Sequence, residues 1–571
     1  MNNKWILTET DANLTLMAKT LGINEITANV MANRGIRSKN TALTFLSPSI
    51  NSLFDVLEMN GAKEALNNIS NAIKNNEKIV IYGDYDADGI MSVVILYKVL
   101  LRLGANISYY IPHRQKEGYG LNITAIEKLA KEDTRLIIAV DNGITAVEEV
   151  STANKLGMSV VIIDHHEPTE TLPAAVAIVD PKQHDCNYPF KEMCAAGIVY
   201  KIAAGLCAHM NSPFEEQDEM IVLATIATLC DIVTLSDENR ILVNCGLTIL
   251  NANKLINPGL GSLITLRGYL DKPIDTFTIG FILGPCLNAA GRLESASLSV
   301  ELLLAEDFNR RMEIAHKLAG LNENRKTLTS ECVDRVLQNL DMNNMDKVLV
   351  ISDTTAHESV AGIVAGRIRE ATNRPTIVLT QGDGAMKGSG RSIVAYNLFD
   401  ALNEHNHLFT RFGGHAMAAG LTLSPENIPL LKEALNKNCT LTEDDFRTII
   451  EFDRELTLDD ITLKLSDELS RLAPFGKGNE EPLFVSHGLL AEHVRVIDDK
   501  NTLIFTYYSP SGGKIKGVAF GLNDMYAKKI TAAGINKCGG FIMDAVYSIE
   551  TNVYNGVSSV QIRIKDFEVS R

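Results

Sequence analysis

The chain's 571 residues exceed what a single core supports, so three or four domains are expected. Its formal net charge of -16, from 54 Lys and Arg against 70 Asp and Glu, argues against a sequence-independent coat for nucleic acid. It leaves a nuclease open, because a nuclease needs basic residues only along its substrate groove. No apolar run is long enough to span a bilayer, the first residues lack an export signal, and nine cysteines without CxxC spacing point to reduced thiols in the cytoplasm rather than to disulfides or a zinc ribbon.

Residues 1–75 read as a helical lead-in, with an amphipathic helix at 62–73. The pattern then changes. The β-branched run Lys78-Ile79-Val80-Ile81-Tyr82 predicts a buried strand. After it come a helix at 90–103 stopped by Gly104, a strand at 106–111, a helix at 124–131, a strand at 136–140, a helix at 146–156 and a strand at 160–163. This alternation predicts a parallel sheet with right-handed crossovers, in a domain spanning 76–296. Ligands of such sheets sit beyond the carboxyl ends of the strands. Residues 195–250 are mainly helical and include Asp231. A charged stretch at 297–342, poor in Gly and Pro, reads as a long connecting helix. A second α/β domain, 343–449, begins near Lys347-Val348-Leu349-Val350-Ile351. From 450 to 571 helices become scarce, and strands at 502–508, 515–521, 540–550 and 559–569 predict a small β-barrel of the oligonucleotide-binding (OB) kind.

Three clusters stand at predicted strand ends: Gly83-Asp84-Tyr85-Asp86-Ala87-Asp88-Gly89, Asp141-Asn142-Gly143 and Asp164-His165-His166. Carboxylates and imidazoles bind hard or borderline divalent cations, and clusters meeting at one sheet edge suit two-metal hydrolysis of a phosphate ester. Each has a plainer reading. The DxDxD run occurs in calcium loops and in solvated turns. Asp141 could cap the helix containing Ala146. A lone histidine is more often structural, but a pair beside Asp164 suits a metal and a phosphate oxygen, with Asp164 orienting an imidazole. Asp231, in an apolar helical region, is either a ligand or an exposed helix terminus.

Taken together, these residues resemble the DHH phosphoesterase superfamily, whose name matches Asp164-His165-His166, and within it the RecJ family of single-strand-specific exonucleases. The resemblance extends in order through Glu117-Gly118-Tyr119-Gly120-Leu121, Asn288-Ala289-Ala290-Gly291-Arg292, Gly388-Ser389-Gly390-Arg391-Ser392, the 413–420 segment and Pro474-Phe475-Gly476-Lys477-Gly478-Asn479. It implies a DHH catalytic domain, a DHH-associated domain and an OB domain. It implies two manganese or magnesium ions held by Asp86, Asp88, Asp141, His165 and Asp231, with Asp141 bridging, Asp84 a further contributor and His166 on the scissile phosphate. An imidazole ligand favours manganese, since magnesium prefers all-oxygen shells. The implied activity is 5′→3′ hydrolysis of single-stranded DNA to mononucleotides in repair and recombination. A helicase and a single-strand-binding protein are the implied cooperating partners, and no membrane is involved.

For the strand end, Ser389 and Arg391 lie in an expected Gly-bounded loop suited to a terminal phosphate, or else in a βα turn whose Arg caps a neighbour. Arg114, Asn288 and Arg292 are further substrate candidates, and Gly413-Gly414-His415 would bring backbone close to DNA. In the C-terminal barrel, Phe475, Lys477, Lys514 and Lys516 are candidates for gripping the strand, although Phe475 could equally be core. Two positions depart from the family pattern. Cys286 stands where an Arg is usual, and Ala356-His357-Glu358-Ser359-Val360-Ala361-Gly362 lacks a Trp and one Gly. The competing readings are a DHH phosphodiesterase of short oligoribonucleotides or cyclic dinucleotides, and a non-catalytic replication scaffold. The C-terminal region argues against the first and the complete ligand set against the second.

Overall fold

Five short strands build the first sheet of the computed structural model: β1 (Lys78–Tyr82), β3 (Leu136–Val140), β4 (Ser159–Ile163) and β5 (Ala177–Val179), largely apolar and buried, and β2 (Asn106–Tyr110), a half-buried edge. They pair in the order β2-β1-β3-β4-β5, all parallel. Both faces of such a sheet need cover, which explains strands that are continuously apolar rather than alternating. One cover is α1 (Ala87–Arg102), a helix buried over most of its length between the sheet and α2 (Ala195–His209) and α3 (Gln217–Cys230). The structure describes residues 3–10, 12–114, 116–342, 344–382, 384–535 and 540–570; the lead-in and C-terminal expectations also touch 1, 2, 11, 536–539 and 571, which lie outside the described residues.

The helix α4 (Gly284–Leu293) follows a π-helical turn, Thr278–Leu283. The expected single connector at 297–342 is two helices, Ser297–Leu304 and α5 (Phe308–Asn339). The break at 305–307 is made by Asp307, whose carboxylate caps α5 by accepting from the Arg310 N–H at 2.7 Å, a local bond that competes with helix continuation.

The second sheet mixes directions. Its strands are β6 (Leu349–Ser352), β7 (Thr376–Gln381), β8 (Met386–Arg391), β9 (Phe409–His415) and β10 (Ala418–Leu423), paired in the order β9-β10-β8-β7-β6, with only β6 and β7 parallel. The helix α6 (Ala361–Thr372) packs on β7 and β8. The C-terminal region forms one seven-stranded sheet, with helices Leu463–Ser470 and Asn523–Ala533 against it. The sequence reading found its strands at 502–508, 515–521, 540–550 and 559–569 but not Phe484–Ala491 or His493–Ile497.

The lead-in is not wholly helical. Lys4–Leu7 is a strand paired in parallel with Ile449–Phe452, anchored by the Trp5 indole N–H donating to Asp566 Oδ2 at 2.9 Å. Two lead-in helices, Glu25–Asn33 and Lys39–Leu46, then bury Ile26, Val30, Met31 and Phe45 in the same core as Leu465, Leu469, Phe505 and Tyr547 of the C-terminal region. Arg240, fully buried, ties this core to the first α/β domain. Its guanidinium lies 3.6 Å over the Phe45 ring and donates to the carbonyls of Phe45 and Ala473. No described helix is long and apolar enough to cross a membrane.

Candidate metal and phosphate site

The loops leaving β1, β3 and β4 meet at the carboxyl edge of the first sheet. Asp86 caps α1, its Oδ1 accepting from the N–H groups of Asp88 and Gly89 at 2.9 and 3.2 Å. Asp88, in the first turn of that helix, is buried and held by the first turn of α2, whose Ala195 and Ala196 N–H groups donate to it at 2.8 and 2.7 Å. Asp141 does not cap a helix. It sits alone at φ +61° after β3, and the next helix begins after Ala146. That left-handed backbone turns its carboxylate into the cluster. Asp231 closes the C-terminus of α3, where the helix dipole disfavours an anion.

His165 Nε2 lies 3.3 Å from Asp141, 3.7 Å from Asp88 and 3.8 Å from Asp231. The potential ligand atoms form three overlapping groups: Asp88, His165 and Asp231; Asp84, Asp86 and Asp141; and Asp141, His165 and His166. Asp141 and His165 each belong to two. Asp164 stands behind them. Its Oδ1 binds His166 Nδ1 at 2.7 Å and its Oδ2 accepts the Ile144 N–H at 3.0 Å, which leaves His166 Nε2 facing outward beside the Tyr119 hydroxyl at 3.2 Å.

The electrostatics describe a site short of positive charge. Burial first, and then the neighbouring carboxylates, push Asp84, Asp88 and Asp141 well above the usual range. The same causes, burial and then Asp86, bring Asp231 up to about 7. Burial and the neighbouring His166 hold His165 down to about 3, so its imidazole is neutral and able to ligate. For His166 burial is outweighed by the Asp164 hydrogen bond, which raises it to about 9. Asp84 Oδ1 is buried with no hydrogen-bond partner. Mutually repelling carboxylates, an unsatisfied buried oxygen and one neutral imidazole fit divalent cations.

A cavity of about 600 Å3 opens beside this cluster and joins the first domain to the second. Arg114 and Arg292 line it from one side, Ser389 and Arg391 from the other. Arg114 lies 4.8 Å over the ring of Tyr85, between Asp84 and Asp86 in the chain. Burial, and then the charge of Arg114, lower both Arg292, down to about 10, and Arg391. Crowded arginines call for an anion. Ser389 and Arg391 are not in a loop as expected but on β8, where the two faces divide the work. Gly388 and Gly390 leave room for Leu379 and Leu398 on one side, while Ser389 and Arg391 point to the cavity on the other. Helix α6 approaches so closely that a Cβ at Gly362 would meet the Arg391 guanidinium and Ser389 Oγ, each at 2.9 Å.

Other expected residues fall elsewhere. Gly413, Gly414 and His415 are on the edge strand β9, and it is Gly420, paired with both Gly413 and Ser389, that lines the cavity. Asn288, on α4, has its Oδ1 buried and unpaired. Phe475 and Lys477 are not on the C-terminal sheet. They lie in a loop seated on the first α/β domain, with the Lys477 carbonyl accepting the Leu235 N–H at 2.7 Å and Phe475 packed against the C-terminal core. The Lys477 charge reaches Asp231. Lys514 and Lys516 are exposed on Lys514–Phe520, with the exposed Tyr508 paired to Lys514. Cys286 is buried against α5, its Sγ accepting from the Asn322 amide at 3.4 Å, so position 286 faces away from the cavity. The sequence reading missed Tyr119 as a site residue and also Arg367 and Arg369, which join the cavity lining from α6. The available signal was the helical spacing of Gly362, Gly366 and Arg369.

Comparisons with known proteins agree with this layout. Residues 78–230 match the DHH family N-terminal domain, 345–440 the DHHA1 domain and 452–566 the RecJ OB domain. The chain is 36% identical over 559 residues to the single-stranded-DNA-specific exonuclease RecJ of Bacillus subtilis, covering 97% of this chain and 69% of that one. It is 31% identical to the Escherichia coli protein of the same name, covering 93% of this chain and 94% of that one. The crystal structure of RecJ from Thermus thermophilus with Mn2+ superposes with a TM-score of 0.83 at 26% identity, covering all of this chain and 80% of that one. The structure of that protein with Mg2+ superposes at 0.78 and 25% identity, covering 100% and 79%.

Proposed function

The chain belongs to the RecJ family of single-stranded-DNA-specific exonucleases, and we propose that it removes mononucleotides from the 5′ end. It is a metal-dependent exonuclease of DNA repair that uses manganese or magnesium. The direction of attack rests on one observation: the arginine cavity adjoins the acidic cluster, with Arg292 near enough to feel the charge of Asp86. A 5′-phosphate held by Arg114, Arg292, Ser389 and Arg391 would put the first phosphodiester, one nucleotide on, at the cluster.

Asp86, Asp88, Asp141, His165 and Asp231 would hold two cations, with Asp84 supporting them and Asp141 shared. Two such ions supply water activation and neutralise the leaving oxygen. The chain's own groups do the rest. His166, kept protonated by Asp164, donates from Nε2 to a phosphate oxygen. Tyr119 donates its hydroxyl to the Asp141 carbonyl at 3.0 Å and holds that loop. Lys477 and Phe475 carry the strand past the junction, and Lys514 and Lys516 hold it farther out. Gly413, Gly414 and His415 give the backbone an edge to run along.

An enzyme restricted to single strands needs duplex opened for it, so a helicase and a single-strand-binding protein are its natural suppliers. The eight described cysteines are all unpaired, which supports a reducing cytoplasm. The reading as a phosphodiesterase of short oligoribonucleotides or cyclic dinucleotides gains nothing from the OB domain. The test is digestion of single strands blocked at either end, with each divalent cation. Blocking the 5′ end should stop release of acid-soluble nucleotide, whereas a 3′ block should not. Protection by the 3′ block instead would reverse the assigned direction.

A further inference from the structure

On α4 and its preceding π-helical turn, Phe277, Phe281, Pro285, Asn288 and Arg292 recur every three or four positions, the two phenylalanines exposed and the other three half-buried. That spacing sets them along one side of a continuous helix. At one end is Arg292, in the phosphate cavity. At the other, Phe277 and Phe281 are 57% and 66% exposed, and their rings stack with centroids 4.9 Å apart at 20°. Two stacked phenylalanines left in water are costly unless something covers them.

The path between the two ends passes the acidic cluster. A Cβ on Gly291 would lie 2.2 Å from the Tyr85 carbonyl oxygen, between Asp84 and Asp86 in the chain. One on Gly284 would lie 2.3 Å from Cys230 Sγ, next to Asp231. The helix therefore runs from the cavity, alongside the acids, to the phenylalanines beyond. Ile232, two residues beyond the Cys230 that packs against Gly284, is itself 65% exposed at φ +58°, a backbone conformation that a β-branched residue strongly disfavours. π-Helical turns are themselves concentrated at functional sites.

We propose that Phe277 and Phe281 are a stacking platform for bases of the single strand, on the side of the metal cluster away from the 5′-phosphate cavity. The helix rises about 1.5 Å per residue, so Phe281 lies about 16 Å from Arg292. A strand rising about 3.4 Å per nucleotide covers that in about five nucleotides. The π-face accepts every base, which suits an enzyme indifferent to sequence. The platform rests on the strand-degrading reading above.

The test measures binding of 5′-phosphorylated oligonucleotides, without added divalent cation, to the full chain and to Phe277→Ala, Phe281→Ala and the double variant. Both positions are exposed, so the fold should survive, and Phe281→Trp should restore binding. The double variant should bind a 12-mer about tenfold or more weaker while binding a trimer as before. A 12-mer abasic at nucleotides 4–6 should bind the unaltered chain weakly and be indifferent to the variants. 2-Aminopurine at nucleotide 5 should be quenched by the unaltered chain and not by the double variant. Unchanged 12-mer affinity, or equal loss on the trimer or the abasic strand, would overturn the platform. If the unaltered chain degrades the 12-mer with manganese, such a result removes the platform alone. If it does not, the strand-degrading reading falls too.

Discussion

The acidic cluster and the arginine cavity are neighbours with opposite problems. The cluster packs Asp84, Asp88 and Asp141 out of water, where they repel each other until their protons are hard to remove. The cavity buries Arg292 and Arg391 and sets them beside the charge of Arg114 until their protons are easier to lose. Neither is at rest alone: one needs cations, the other an anion. A terminal phosphate and two metal ions would satisfy both together, which explains how a chain of net charge -16 serves a polyanion. Charge is sorted by place, and the net value is uninformative.

The largest effect should come from breaking the acidic half. Asp141→Ala should lower single-turnover hydrolysis by about a thousandfold or more, since a shared ligand has no substitute. The same change should raise the melting temperature of the metal-free protein, because it removes a repelling buried charge. Near-normal turnover would break the contrast at its acidic end. On the basic side, Arg391→Ala should cost about 10- to 150-fold in kcat/KM for 5′-phosphorylated strands, the value of one or two charge-assisted bonds. Strands with a 5′-hydroxyl should be nearly unaffected, and an equal loss on both would show that Arg391 does not read the phosphate.

Asp164→Asn sits between the halves and should cost about 10- to 100-fold. Asp164 is what raises His166, so its loss should let His166 deprotonate sooner and make the deficit larger at pH 8.5 than at pH 6.5. A pH-independent deficit would limit Asp164 to holding the loop.

The metal-free protein offers a smaller, thermodynamic check. Asp231 is raised in the fold to about 7 from 3.8. A raised carboxylate favours the fold at low pH, and that contribution is lost as pH climbs to the folded value. The metal-free melting temperature should therefore fall by a few degrees between pH 5 and pH 7.5, and manganese should reverse the trend. A flat profile would mean that the carboxylates are relieved by something other than metal. Smallest of all, Lys514→Ala with Lys516→Ala should raise KM a few-fold for long strands and reduce its salt dependence, with no change on trimers. Cutting the chain at 450 is a poor substitute, because the lead-in helices share their core with the C-terminal sheet and would be stripped bare.

The first sheet was legible because its strands and helices differ in period and its charged residues follow apolar runs. The acids and histidines could be read directly, since carboxylates rarely end buried strands without a task. Other parts depend on contacts distant in sequence. Lys4–Leu7 becomes a strand only through Ile449–Phe452, and Ser389 and Arg391 read as a loop because glycines that make room for Leu379 and Leu398 look like turn residues. Phe484–Ala491 carries a register shift between Ser486 and Leu489 that disrupts its alternation. Arg367 and Arg369 look like an ordinary solvated helix face until β8 is placed opposite.

The most direct measurement follows the first product from a single strand labelled on its 5′-phosphate, digested with manganese. If the cavity and the cluster lie one nucleotide apart, the label should leave at once as a mononucleotide while the strand is still nearly full length. Label retained on progressively shorter strands, or released first in longer fragments, would contradict that spacing.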